Sequence, residues 1–242
     1  MKSFTASEPF VKNAGADSAS LLFELGAVMV NGINSNQGLV ATNMQSFGHD
    51  VYGGGCLDHS GTGVVLSAHS NVYGAGELRY LLQLTNLQEL MNQPENYDVN
   101  EYFENLTKKQ TLANLRKQYL EKISNINKEG VKFICDKMPH NFLLIDLIRA
   151  ILPEAKIIHV VRDFAAVCWA NYTQYFDKAS FGYSYSLDDI LFYYEQYKNL
   201  MEYWHQVIPN KIYDLDYEVL TECQEDETRK LIGYLELDWD DV

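Results

Sequence analysis

Two residue pairs stand where a phosphate or sulfate could be held: Asp136-Lys137 and Arg162-Asp163. Each follows a short apolar run with β-branched residues, VKFIC (131–135) and KIIHVV (156–161), of the kind that forms strands covered on both faces. Between the runs, NFLLIDLIRAIL places Phe142, Ile145, Leu147, Ile148 and Ile151 broadly on one side at helical spacing, and Pro153 follows where a helix should stop. The stretch 131–172 therefore predicts strand, loop, helix, strand, loop, helix, the middle of an open α/β sheet. Its polar residues fall just beyond the carboxyl ends of the strands, where ligands bind in such sheets. A cation at two neighbouring strand ends, each ahead of a helix N-terminus, suits an anionic group. Solvated loop charges paired with nearby carboxylates are the alternative reading.

A second candidate for anion binding is His59-Ser60-Gly61-Thr62-Gly63. Small residues in a turn ahead of a helix expose successive N–H groups and hydroxyls, the chemistry that cradles a phosphate; a plain turn is the alternative. Gly53, Gly54 and Gly55 complete no dinucleotide fingerprint, and Asn31 to Gly38 contains no Lys and no GK[ST]. GAGELRYLLQLTNLQELM then predicts a Gly-rich turn and one amphipathic helix carrying Leu78, Leu81, Leu82, Leu84 and Leu87, with Glu77 at its first turn, a position where acids commonly cap the helix or its dipole. Residues 94–128 read as long, polar, helical and exposed, an insert whose mixed charges need no role beyond solvation. A further helix should start near Ser186, and its stripe of Ile190, Tyr193, Tyr194, Tyr197, Leu200, Met201 and Trp204 reads as core packing rather than a base-stacking surface. KIYDLDYE predicts a strand ahead of Tyr217 and Glu218, and DETRKLIGYLELDW a last helix.

Taken in order, DKMPHNF, PEAKIIHVVRD, the Tyr- and Trp-rich stretch, YEVL and ETRKLIGYLELDW resemble the sulfotransferase family, bacterial proteins related to tyrosylprotein sulfotransferases, from about Ser60 to Trp239. The resemblance implies transfer of a sulfuryl group from 3'-phosphoadenosine-5'-phosphosulfate to an acceptor hydroxyl. It also implies roles: Glu77 as general base, Lys137 stabilising the transition state, His59 to Gly63 around the 5' phosphosulfate, Arg162 on the 3'-phosphate, and Tyr217 beside the nucleotide. Ser60, Gly61 and Thr62 agree with the family's Pro-Arg-Ser-Gly-Thr-Thr loop, whereas Asp58, His59 and Gly63 depart from it. Phe164 stands for a Pro, and Ala170 for the Ser that holds the 3'-phosphate, which leaves Asn171 or Thr173 to substitute. The chain stops at Val242, before the segment that in the family folds over the nucleotide. The alternative is a noncatalytic sulfotransferase-like module that binds adenine nucleotide weakly or only packs with a partner.

The expected class is α/β, a P-loop-like open, mainly parallel sheet flanked by helices with a helical insert. Residues 1–50 form a poorly readable N-terminal segment and 51–242 a C-terminally short sulfotransferase-like domain. With 19 basic against 33 acidic residues and a net charge of −14, nucleic acid and anionic membranes are unsuitable partners. The partners expected are a nucleotide donor and a hydroxyl-bearing acceptor, small or neutral because the charge repels acidic peptides; the oligomeric state is left open. Lys108, Lys109, Arg116 and Lys117 form the one basic cluster that would argue otherwise. Cys56, Cys135, Cys168 and Cys223 show no CxxC or metal-ligand spacing with His, which suits a reduced, cytoplasmic chain. No secretory leader is evident, and no apolar run approaches the roughly 20 residues of a membrane span. No GxSxG occurs and the six His are scattered, so neither hydrolase chemistry nor a bound metal is expected.

Overall fold

The computed structural model describes residues 38–44, 61–92, 98–126, 130–174 and 179–240. Five runs form one sheet: β1 (Gly38–Met44), β2 (Val72–Gly74), β3 (Phe133–Lys137), β4 (Ala155–Val161) and β5 (Ile212–Asp216), in the order β2-β3-β1-β4-β5. All four pairings are parallel. The two runs picked out in sequence are β3 and β4, but they are not neighbours. β1 lies between them, drawn from a segment that the sequence leaves without an assigned element. GLVATNM gives little signal because Thr42 and Asn43 interrupt its apolar character. β2 is too short to show any period.

β3 is buried at every position, and β4 is buried except at Lys156 and Val161, as continuous apolar runs covered on both faces should be. The chain after β3 makes a 3₁₀ turn (Pro139–Leu144) before the helix Ile145–Ile151. Phe142, Ile145, Ile148 and Ile151 of the expected stripe are buried, with Leu147 packed at its margin. The remaining helices are α1 (Gly61–Ala68), α2 (Tyr80–Thr85), α3 (Leu87–Asn92), α4 (Val99–Thr107), α5 (Lys109–Ser124), α6 (the Ile145–Ile151 helix), α7 (Phe164–Thr173), α8 (Leu187–Val207), α9 (Tyr217–Glu222) and α10 (Gln224–Tyr234).

Three expectations change. The single helix foreseen after Gly76 is two, broken at Asn86, whose φ of 55° is left-handed; Asn tolerates that conformation better than most residues. The first of the two helices begins at Tyr80, so Glu77 lies in the segment between β2 and α2, not in a first helical turn. Finally, the insert is helical as expected but not wholly exposed: α5 buries Leu115, Tyr119 and Ile123. These lie four residues apart, a narrow stripe hidden among charged neighbours.

α8 begins where Ser186 accepts the Asp189 N–H at 3.4 Å, and buries Ile190, Tyr193, Tyr197, Met201 and Trp204. The aromatic stripe is core. Trp204 also donates its indole N–H to the Phe142 carbonyl at 2.9 Å, tying α8 to the turn after β3. Among the described residues no helix is long and apolar enough to cross a membrane. Trp204→Phe should cost about 1–3 kcal/mol, because the buried Phe142 carbonyl loses its donor; denaturant titration of both proteins checks this, and a midpoint unchanged from wild type would contradict it.

Candidate active site

β3 carries its polar residues inside the strand rather than beyond it. Asp136 and Lys137 are its last two residues and both are buried, which corrects the expectation of loop positions. A buried carboxylate must be hydrogen-bonded to be tolerated, and Asp136 is: one oxygen accepts the Leu78 N–H at 3.2 Å, the other the Tyr119 hydroxyl at 2.9 Å. Desolvation nevertheless dominates, and burial holds the Asp136 carboxyl well above the usual carboxylate range despite these two donors and the adjacent Lys137 charge. Burial likewise pushes the Tyr119 hydroxyl up, with Asp136 adding to the effect.

Backbone pairing carries on past β2. Ala75 N–H donates to the Cys135 carbonyl at 2.8 Å, and Lys137 N–H to the Gly76 carbonyl at 2.9 Å. Gly76 then turns the chain with a φ of +69°, a conformation only glycine adopts without strain. Asp136 captures the chain two residues later at Leu78. Held at both ends, Glu77 projects its carboxylate onto the Lys137 ammonium as an ion pair. The Lys137 side chain is 10% exposed and that of Glu77 48%, so a sheltered ammonium meets a carboxylate that faces solvent.

The other strand end is built differently. Arg162 follows β4 as expected, and its guanidinium stands 5.1 Å from the centre of the Tyr217 ring at the start of α9. Its Nε is buried and has no hydrogen-bond partner among the described residues. Asp163 caps α7 by accepting the Ala166 N–H at 2.9 Å, and the Asp163 N–H is itself taken by both Glu218 oxygens at 3.1 Å. Phe164, in the family's Pro position, packs on Tyr194 with ring centres 4.1 Å apart. Of the two substitutes for Ala170, Thr173 is committed to the Trp169 carbonyl at 2.8 Å, whereas Asn171 is buried with its Oδ1 unpartnered.

The structure brings Glu77 to Lys137 and Arg162 to Tyr217, but leaves the two groups apart. Thr42 of β1 is in register with both Lys137 and Ile158, which puts Arg162 four residues farther along. Ordinary strand spacing and rise then separate the two Cα atoms by about 10 Å across the sheet and about 13 Å along it. Lys137 meets Glu77 in the segment after β2, and Arg162 meets Tyr217 at the start of α9. Gly61, Thr62 and Gly63 open α1, reached from the C-terminal end of the central strand β1. His59 and Ser60 lie outside the described residues, as does Cys56.

Two site features escaped sequence reading. Asn141, in the turn after β3, is buried with its Nδ2 unpartnered, and DKMPHNF offered it as one polar residue among several. Tyr119, the donor to Asp136, was hidden in a helix that reads as solvated.

Fold and geometry together define an α/β protein with two separate cationic positions at one end of a parallel sheet. The chain belongs to the sulfotransferase family, whose signature it carries over residues 60–241. An uncharacterized protein of Aquifex aeolicus (strain VF5) is similar to it, 33% identical over 186 residues that cover 73% of this chain. The matched region spans 24% of that protein's length.

The raised Asp136 carboxyl has a pH consequence. A carboxyl whose folded pKa exceeds its unfolded value contributes most to stability below the unfolded value, and that contribution is lost as pH rises through the folded one. Asp136→Asn keeps an acceptor for Leu78 or Tyr119 but removes the charge, so its melting temperature should gain on wild type as pH rises from about 4 to 8. Melting curves of both proteins across that range test it; a difference independent of pH would contradict it.

Proposed function

We propose that this chain transfers a sulfuryl group from 3'-phosphoadenosine-5'-phosphosulfate to an acceptor hydroxyl, on a P-loop-like arrangement in which the segment from His59 to Gly63 faces the 5' end of the donor. The observation that carries the reading is the pairing of a sheltered Lys137 with a solvent-facing Glu77, with a second cation, Arg162, set apart on the far side of β1. Two cations at separate strand ends suit a ligand with two anionic groups better than a lone phosphate. The donor fits the residues present: the unpartnered Arg162 Nε is a buried donor awaiting an acceptor, and Tyr217 offers a ring face beside it.

In this reading Glu77 takes the proton of the acceptor hydroxyl. Lys137 donates to the oxygen that links phosphorus to sulfur as charge gathers there, the usual work of a fixed cation in group transfer. Arg162 and Tyr217 hold the nucleotide end, and Asn141 is a further donor at the mouth of β3. The reaction calls on no divalent ion at these residues. A small or neutral acceptor suits the basic cluster as it stands. Arg116 is engaged by Glu154 at 2.6 Å and by the Ile151 carbonyl, Lys117 lies 3.8 Å from Glu121, and Lys108 bonds Asn105. A reducing compartment such as the cytoplasm suits the free thiols of Cys135, Cys168 and Cys223.

The test separates chemistry from binding. Glu77→Gln should lower turnover by roughly 10²–10⁴ with donor affinity nearly unchanged, and Lys137→Ala should also depress turnover. Arg162→Ala should weaken binding of 3'-phosphoadenosine-5'-phosphate by about 10- to 150-fold, as expected for a lost charge-assisted contact. Calorimetry with that nucleotide and transfer assays with labelled donor read these effects. No binding by wild type at millimolar nucleotide would favour the noncatalytic module instead. Unchanged turnover in Glu77→Gln would remove it from the mechanism.

A further inference from the structure

The six histidines look scattered in sequence, yet the fold gathers two of them around one carboxylate. His159 on β4 and Asp214 on β5 are register partners, and His205 comes down on them from the last turn of α8. His159 Nδ1 lies 2.6 Å from Asp214 Oδ1, His205 Nε2 lies 3.3 Å from the same oxygen, and the two imidazole centres are 6.3 Å apart. One ligand atom from each of the three falls within 4.8 Å of the others. The cluster sits at mid-strand rather than at the carboxyl ends of the strands, and none of its members contacts Glu77, Lys137 or Arg162 in a described hydrogen bond or ion pair.

We propose that His159, His205 and Asp214 form a binding site for a divalent transition-metal ion of the zinc class. Two imidazole nitrogens and one carboxylate oxygen are the donors such ions favour, whereas magnesium and calcium prefer all-oxygen sets. With bonds of about 2.0–2.1 Å, tetrahedral ligand atoms stand about 3.4 Å apart. The His205–Asp214 separation already meets that spacing, the His159–Asp214 contact must open by about 0.8 Å to admit the ion, and the two imidazole nitrogens, within 4.8 Å of each other, settle to the same spacing. Asp214 and His205 are partly open to solvent, with side chains 48% and 37% exposed, so the ion has a route in and a water can take the fourth position.

The buried histidine also has the outer partner that ligating imidazoles usually have. Its Nε2 contacts the Tyr197 hydroxyl, and an imidazole bound through one nitrogen is oriented by a hydrogen bond at the other. Without metal, Asp214 accepts from His159 Nδ1–H and His205 Nε2–H. On binding, each ring shifts its proton to the opposite nitrogen, so His159 Nε2–H donates to Tyr197 and no net proton is released. The ion then ties the C-terminal end of α8 to β4 and β5.

The experiment uses the full chain stripped with a chelator and titrated with zinc chloride and, separately, cobalt chloride. Wild type should bind one equivalent of zinc by calorimetry, with a melting temperature raised by roughly 5 °C or more at a hundredfold excess over the dissociation constant. Cobalt should give the intense visible bands of a four-coordinate site. His205→Gln, at a part-exposed helix end where folding is not at stake, should lose the melting shift and the bands, and Asp214→Asn should weaken both. Glu202→Gln, which alters a carboxylate on the same helix outside the cluster, should keep them. Absence of a shift and of bands in wild type, or an undiminished response in His205→Gln, would overturn the site.

Discussion

A carboxylate buried at the end of the second strand from one sheet edge determines the geometry on that side of the site. Asp136 has two oxygens to satisfy away from water, and it uses them on two distant parts of the chain, the Leu78 amide and the Tyr119 hydroxyl. The first contact pins the segment after β2; the second pins α5 against the sheet. Because Gly76 and Leu78 are both fixed to β3, the Glu77 backbone is held beside Lys137. Ion pairs between mobile surface side chains are weak; here the backbone on either side of Glu77 is hydrogen-bonded to β3, which brings the carboxylate within reach of a sheltered ammonium. The cost is a carboxyl that burial makes reluctant to ionise.

Among the described residues the opposite side is tied differently. Arg162 stacks near Tyr217, and Glu218 reaches back to the Asp163 amide, so the ends of β4 and β5 are joined by side chains at the surface. Two carboxylates, Asp163 and Glu218, occupy the start of α7. Two amides at that helix end, those of Asp163 and Ala166, already have carboxylate partners, so an anion held there depends chiefly on Arg162. The same sheet thus presents a rigid pair at one strand end and an arginine with an unused donor at the other.

The strands β3 and β4 were legible because strands buried on both faces are written as unbroken apolar runs, and α8 because its aromatic residues recur at helical spacing. β1 was not, since a central strand need not be strongly apolar when its neighbours supply the pairing. Asn86 divided a helix that periodicity made continuous, which is a backbone event that no hydrophobic pattern records. In the candidate site, Lys137 and Arg162 stood out as cations at strand ends, and Glu77 was singled out only through family resemblance. The role of Asp136 was beyond reach, because its partners lie 58 and 17 residues away along the chain. The gathering of His159, His205 and Asp214 is a product of register and helix docking and leaves no local spacing to read.

The central claim is that one nucleotide spans the two cationic positions, with its 5' end at the Glu77–Lys137 pair and its 3' phosphate at Arg162. A crystal structure of the chain with 3'-phosphoadenosine-5'-phosphate tests it most directly. The account predicts the 5'-phosphate within hydrogen-bonding distance of Lys137 Nζ and the 3'-phosphate on the Arg162 guanidinium. A nucleotide bound elsewhere, or one that places both phosphates at a single cation, would contradict it.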